Sequence, residues 1–343
     1  MKGWREVKAS YWIHRFSRFV QNATPKRLAN LILVRTEYKL GITRVRSLPP
    51  LIHIDPLNYC NLRCPVCPTG RGTLGRHRGK MPMELFQAIV DEISDRVFFL
   101  NLYNWGEPLL HSQIFDMVEY ATNKGLSVRI SSNLNSMTLE QARLMVESGL
   151  EELLVNLDGA TQETYAIYRV GGSLARVVEN IREITRVKKR FNTPFPLITA
   201  RVLVTKYNYD EISQIRALAW SLNVDRFVVS PIHVNLRRSD DINRWVVQKQ
   251  KSVEFADLPR KPRKCDQLWF NLTISWDGGV FPCCWFHEQE YDFGNVYEEG
   301  SLIMIWNNDR FVQSRNFVIG KNLHSPGTIC GQCRGYPQYY YSY

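Results

Sequence analysis

The sequence predicts an α/β fold, a partial TIM-like barrel of βα units followed by a small cysteine-bearing domain. Three observations carry this. Between Leu51 and about Ile232, short β-branched or aromatic runs alternate with stretches of helical periodicity. The alternation yields about six units in roughly 180 residues, whereas a closed eight-unit barrel takes about 250. From Cys265 onward the texture changes to short strands, tight turns and cysteines. An open doubly wound sheet is the alternative, because alternation alone does not set strand order; in either fold, ligands gather at the C-terminal ends of the strands.

Taken in order, the strands read as Leu51–Asp55, Val97–Tyr103, Ser127–Ser131, Leu153–Leu157, Leu197–Val204 and Arg226–Ser230. Among the helices between them, Leu174, Val177, Val178, Ile181 and Ile184 line one face after Ser173, a plausible N-cap. Gly125 and Gly149 stand just past helical patterns, where a left-handed C-terminal cap is expected. Residues 236–264 are charged, end in Pro259-Arg260-Lys261-Pro262-Arg263-Lys264, and read as a solvated linker rather than a nucleic-acid patch. In the last part, Phe270–Trp276 and Val280–Cys284 flank Asp277-Gly278, a hairpin signal. The expected organisation is an N-terminal basic segment (1–50), the barrel (51–235), the linker (236–264) and a C-terminal domain (265–343).

With 44% hydrophobic and 22% charged residues among 343, the chain is in the globular class. The longest apolar candidate, Leu28 to Val34, is broken by Asn30 and far short of a membrane span. The net charge is +11, but residues 1–50 hold eleven Lys/Arg against two Glu, so the rest is almost neutral and no nucleic-acid partner is expected. The basic segment lacks a signal-peptide h-region, which points to the cytoplasm. Eight cysteines then argue for metal or redox use rather than disulfides.

Cys60, Cys64 and Cys67 stand in a loop directly after the first strand. Three thiolates are one fewer than a structural zinc or a fully ligated 4Fe-4S cluster takes, so a cubane here would keep one iron open. A zinc site completed by His53 or His77 is the alternative. This CxxxCxxC loop resembles the signature of the radical S-adenosylmethionine (SAM) superfamily, whose fold is a partial (β/α)6 barrel. The likeness extends to Gly106-Glu107-Pro108 after the second strand, similar to the family's GGEP motif for the SAM amino group, with Trp105 in place of the first glycine. Ser131 and Asn133, and Asn156 and Asp158, end strands three and four, where the family places ribose and carboxylate contacts. Arg169, in Tyr168-Arg169-Val170-Gly171-Gly172, matches the stretch whose arginine meets the SAM carboxylate. Val66 departs from the pattern, since an aromatic contacting adenine is common there.

Cys265, Gly278, Cys283, Cys330 and Cys333 resemble the SPASM or twitch extension of one branch of that superfamily. The seven-cysteine SPASM pattern is incomplete, because Tyr339, Tyr340 and Tyr341 follow Cys333 with no further cysteine. The resemblance therefore implies one auxiliary 4Fe-4S cluster held by Cys265, Cys283, Cys330 and Cys333, with a tetrahedral zinc knot as the alternative. One thiol is left over; Cys284 is assigned, though it and Cys283 could exchange roles. It is either a small buried hydrophobe or a hydrogen-atom donor to a substrate radical.

The resemblance implies reductive cleavage of SAM, hydrogen-atom abstraction from substrate, and an oxidoreductase- or epimerase-type outcome, with a flavodoxin- or ferredoxin-type reductant. A sugar or aminocyclitol substrate is the leading expectation. Peptide-modifying relatives often carry a leader-binding domain of about 80 residues, more than the 50 residues ahead of the barrel would hold. Peptide modification is the alternative, and a non-catalytic zinc or iron-sulfur protein is the alternative of another class. Finally, Trp12, Ile13, Phe16, Phe19 and Val20 fall on one helical face and His14, Arg15 and Arg18 on the other. A helix packed on the barrel is expected, with peripheral membrane contact through residues 1–35 as the alternative.

Overall fold

The computed structural model describes residues 5–232, 239–247, 265–322 and 326–333. Its strands are β1 (Arg5–Val7), β2 (Leu51–Ile54), β3 (Phe99–Asn101), β4 (Ser127–Ser132), β5 (Glu152–Asn156), β6 (Leu197–Val204), β7 (Arg226–Pro231), β8 (Asn271–Ile274), β9 (Gly279–Phe281) and β10 (Gly294–Asn295). They form one sheet in the order β1-β7-β6-β5-β4-β3-β2-β8-β9-β10. From β2 to β7 every strand lies parallel beside its sequence neighbour. Such a row has no switch point, which excludes the doubly wound alternative and leaves a singly wound, six-unit partial barrel. β2 and β7 each use their outer edge elsewhere: β2 pairs in parallel with β8, and β7 is antiparallel to β1.

Up to β7 the α-helices are α1 (Ala9–Asn22), α2 (Pro25–Leu40), α3 (Pro68–Arg71), α4 (Met83–Ile93), α5 (Ile114–Asn123), α6 (Leu139–Glu147), α7 (Gln162–Tyr168), α8 (Leu174–Arg190) and α9 (Ile212–Ser221), and further helices follow in the C-terminal part. The apolar stripes of α4, α5, α6, α8 and α9 close over the sheet. On α8, Leu174, Val177, Ile181 and Ile184 are buried, and the Ser173 hydroxyl caps the helix by accepting from Arg176 N. Gly125 and Gly149 take φ +77° and +78°, the left-handed ends foreseen for α5 and α6. The central strands are buried on both faces, which is why they read as apolar runs rather than alternating ones.

The sequence-based division into barrel and C-terminal domain does not reveal that β8 continues the barrel's own sheet, register Leu51 to Asn271 through Ile54 to Ile274. The hairpin β8–β9 turns through Gly278 at φ +82°. Most of the linker expected over 236–264 lies outside the described residues, as do Tyr339 to Tyr341; a helix spans Ser239–Trp245. No helix among the described residues is long and apolar enough to cross a membrane.

α1 departs most from expectation. Its buried side is the polar one: Tyr11 is buried, its hydroxyl donates to Glu152 Oε1 at 2.9 Å, and Arg15 Nη1 donates to Glu152 Oε2 at 2.8 Å. Arg18 stacks over Phe195, and of the apolar face Phe19 stacks on Phe98. Trp12, Ile13, Phe16 and Val20 face outward.

Candidate active site

The site forms where strands β2–β6 end. Asp55, the residue after β2, is buried and its carboxylate accepts from Trp105 N at 3.1 Å and Gly106 N at 3.3 Å. Burial pushes its pKa up to about 7, against the lowering effect of those backbone donors. Asp55 thus ties the loop after β3 to the root of the cysteine loop. Gly106 lies so close to the chain of that loop that a Cβ would stand 1.9 Å from the Leu57 carbonyl oxygen, which explains the glycine. Glu107 N donates to Tyr59 O at 2.9 Å, a second tie between the loops.

The Glu107 side chain is buried and satisfied by the end of β4. Oε1 accepts from Ser132 Oγ at 2.7 Å and Leu109 N at 3.3 Å, and Oε2 accepts from Asn133 N at 2.8 Å. Burial raises its pKa. Asn133 Nδ2 donates to Asn61 Oδ1 at 2.9 Å and toward Cys60 Sγ at 3.6 Å. Ser131 is buried beside it on β4. From β5, Asn156 Oδ1 accepts from Arg201 Nη2 at 2.9 Å, and Asp158 accepts from Leu203 N at 2.7 Å and Arg169 Nε at 2.5 Å. Arg169 Nη1 in turn points at Cys64 Sγ, 3.6 Å away. Burial alone would lower the Arg169 pKa, but Asp158 and Cys64 hold it above its ordinary value.

The three cysteines therefore share one loop over the strand ends, with donors aimed at two of the sulfurs. Leu62 N adds a third contact, 3.4 Å from Cys60 Sγ. Burial pushes the Cys60 thiol up to about 12 and raises Cys64, so these sulfurs resist ionisation until a cation partners them. Gly70 at the end of this loop is a further requirement: a Cβ there would fall 2.5 Å from Cys64 O. Val66 leaves no aromatic between Cys60 and Cys67, yet Tyr168 and Trp245 pack in the same hydrophobic cluster, their rings 5.5 Å apart. Asp55, Gly70, Ser132, Tyr168 and Trp245 were missed by sequence reasoning; only Asp55, a carboxylate closing the first strand, carried a readable signal.

In the C-terminal part, the Cys283 thiol lies in the field of Cys330, Cys333 and Cys284, and Cys330 in that of Cys265 and Cys333. The four expected cysteines are thus near enough to one another to interact electrostatically. Burial pushes Cys265 up to about 12 and raises Cys283 and Cys330, with the hydroxyls of Ser314 and Thr328 partnering Cys330. Cys284 sits at the junction with the barrel: with the Asn104 amide turned to the orientation that satisfies both its ends, its nitrogen donates to Cys284 O at 3.2 Å and its oxygen accepts from Trp105 Nε1 at 3.2 Å. His53 is buried on β2, with Nδ1 3.4 Å from Asn101 Nδ2, and His77 enters through its carbonyl, which accepts from Asn58 and Trp276.

Among the described residues no three His, Cys, Asp or Glu side chains close around a metal ion. A lone zinc, with Zn–S near 2.3 Å, needs its sulfurs within about 3.8 Å of one another. Three cysteines on one loop, and four in the C-terminal part, have the donor chemistry of iron-sulfur ligation, in which each thiolate binds a different iron.

Comparison with known proteins agrees. The radical SAM superfamily matches residues 54–219, and the iron-sulfur cluster-binding domain called SPASM matches 265–334. Among curated relatives, the tungsten-containing aldehyde ferredoxin oxidoreductase cofactor-modifying protein of Pyrococcus furiosus is 28% identical over 312 residues, 81% of this chain and 86% of that protein. The PqqA peptide cyclase of Rhodopseudomonas palustris is 22% identical over 298 residues, 78% of this chain and 75% of that one. Among solved structures, Streptococcus suis SuiB bound to its precursor peptide SuiA superposes with a TM-score of 0.61 at 17% identity, covering 83% of this chain and 70% of that one.

The chain belongs to the radical SAM superfamily and carries a SPASM domain. It is a radical SAM enzyme whose cofactors are SAM and 4Fe-4S clusters, one of them auxiliary. The non-catalytic reading, zinc or iron-sulfur, falls away with that assignment.

Proposed function

We propose that the protein modifies an unactivated C–H position of a peptide substrate. The peptide reading now has better support than the sugar or aminocyclitol reading, because a relative aligned over about three quarters of both chains is named for a peptide and a fold neighbour is bound to one. In this reading Cys60, Cys64 and Cys67 hold the SAM-binding cluster. Gly106, Glu107, Ser131, Asn133, Asn156, Asp158 and Arg169 form the SAM cradle, and Cys265, Cys283, Cys330 and Cys333 hold the auxiliary cluster. When bound, the reduced cluster and SAM supply one-electron, hydrogen-abstracting chemistry.

This chain's own residues position that chemistry. Asp158 locks the Arg169 fork toward Cys64, and Glu107 clamps the ends of β3 and β4 together. The observation that supports this reading is the Asn104 side chain, which in the orientation that satisfies both ends of its amide bridges Cys284 O and Trp105 Nε1 and so brings the Cys284 backbone beside the loop after β3. In this reading Cys265, Cys283, Cys330 and Cys333 would hold a group able to accept an electron, giving oxidation or cross-linking, or the Cys284 thiol would return a hydrogen atom, giving epimerisation. A flavodoxin- or ferredoxin-type protein is the proposed reductant.

The test is anaerobic reconstitution, dithionite reduction and measurement of 5'-deoxyadenosine with deuterated peptides and, separately, aminocyclitols. Deuterium from a peptide appearing in 5'-deoxyadenosine, and lost when Cys60, Cys64 and Cys67 are changed to Ala, supports the reading. Label arriving only from the aminocyclitol restores the sugar reading. In the peptide product, solvent deuterium at an inverted centre that disappears in Cys284→Ala assigns epimerisation; a product two hydrogens lighter that persists in Cys284→Ala assigns oxidation.

A further inference from the structure

α1 is strongly amphipathic, yet it is docked with its charged side inward. Tyr11 and Arg15 are held by Glu152, the first residue of β5, and Arg226, the first of β7, donates to the Tyr11 hydroxyl at 3.0 Å. Asn22 reaches Ser127, the first residue of β4, at 3.1 Å. The helix thus lies across the N-terminal ends of the strands, at the end opposite the cysteine loop. The residues left outward are large and apolar: Trp12 is 53% exposed, Ile13 65%, Phe16 69% and Val20 54%. α2 continues the pattern with Ile32 at 69% and Leu40 at 68%. Folding leaves these side chains in water although the same helix has a polar side that could have faced out.

The exposed charge of the same segment is predominantly positive. Arg35, Lys39, Arg44 and Arg46 are exposed, and Lys26 is exposed beside Asp95, 3.3 Å away. From residue 8 to residue 50 Glu37 is the one acid, and it is buried, accepting from Arg46 N at 2.7 Å and Ser47 Oγ at 2.5 Å. A second copy of this chain would bring the same cations against each other, whereas an anionic bilayer surface offers apolar depth and opposite charge together. We infer that the outward face of α1 and the exposed side chains of α2 form a docking surface for anionic phospholipid. Because that surface lies at the N-terminal ends of the strands, a docked molecule turns its mouth toward the aqueous phase, and substrate enters from solution rather than from the supporting lipid.

Flotation of the reconstituted full chain with phosphatidylcholine vesicles, with and without phosphatidylglycerol, tests this. The expected result is binding to phosphatidylglycerol-containing vesicles at low salt, release at about 0.5 M NaCl, and little binding to phosphatidylcholine alone. Ile13→Glu/Phe16→Glu should lose flotation while its melting curve and 5'-deoxyadenosine formation match the wild type. Arg35→Glu/Lys39→Glu, which leaves the apolar residues intact, should weaken binding and flatten its salt dependence. The inference is overturned if the wild type stays in the soluble fraction with both vesicles, if it binds both equally, or if Ile13→Glu/Phe16→Glu floats as well as wild type. It is also overturned if sedimentation shows a dimer that this variant splits, which would make the face an interface between copies.

Discussion

At the scale of the residue, the site rests on groups whose tolerance is set by distance or by burial. Gly106 has no room for a methyl group, since a Cβ would stand 1.9 Å from Leu57 O. Gly106→Ala should therefore push the loops after β2 and β3 apart and weaken SAM binding about tenfold or more, a loss of at least ~1.4 kcal/mol, with the far-UV spectrum unchanged; isothermal titration checks it. His53 works through pH. Burial lowers its pKa to about 4 from 6.5, assisted by Arg129 and opposed by the Asn271 hydrogen bond. Below pH 6.5 the unfolded chain takes up a proton that the folded chain refuses, so His53 costs stability as pH falls, until about pH 4. Between pH 7 and pH 5 the cost grows by about 2 kcal/mol. His53→Gln should gain that much relative to wild type over the same interval, read from parallel urea unfolding.

At the scale of the element, β8 along β2 and the Arg76 ion pairs are two of the ties that fasten the C-terminal part to the barrel, beside Glu92, which accepts from Ser301 Oγ and Leu302 N. Arg76, on the stretch after the cysteine loop, is nearly inaccessible; it pairs with Asp277 at 2.5 Å and with Asp292, and lies over the Phe281 ring. Arg76→Ala strands two carboxylates that remain partly exposed, so the expected loss is about 2 kcal/mol, below the range for fully buried pairs. The variant should also lose auxiliary iron sooner than SAM-binding iron on mild chelation, followed by iron content and absorbance. The hairpin offers a milder check. Gly278 is left-handed, and a Cβ there would lie 2.9 Å from Asn295 Oδ1. Gly278→Ala should cost roughly 1–2 kcal/mol, visible as a lower melting temperature.

At the scale of the whole molecule, Glu152 joins the N-terminal segment to the barrel floor. Its buried carboxylate is shared by Tyr11, Arg15, Arg129, Thr199 and Arg226. Burial opposes its ionisation, but the surrounding arginines, Arg129 foremost, hold its pKa below the usual value. Glu152→Ala leaves Arg129 buried without its counter-charge, so about 3–5 kcal/mol should be lost. The same change should expose α1 to protease before the barrel unfolds, which mass spectrometry of early fragments would detect.

Much of the chemistry was legible in the chain because it is local. CxxxCxxC sits a few residues past one strand and Gly-Glu-Pro just past the next, and periodicity placed β6 at Leu197–Val204, where the structure has it. Cys265, Cys283, Cys330 and Cys333 also read as one group from spacing and resemblance. The tertiary structure alone decided relations between segments remote in sequence. Strand order excluded the doubly wound sheet, β8 carried the barrel's sheet into the C-terminal part, and Tyr168 and Trp245 supplied the aromatic surface that Val66 lacks. The sharpest case is α1. Its own periodicity assigns Trp12, Ile13 and Phe16 to a core, but the barrel floor presents the buried charge of Glu152. A buried carboxylate needs cations and donors more than it needs apolar neighbours, so Arg15 and Tyr11 turned inward and the apolar face turned out.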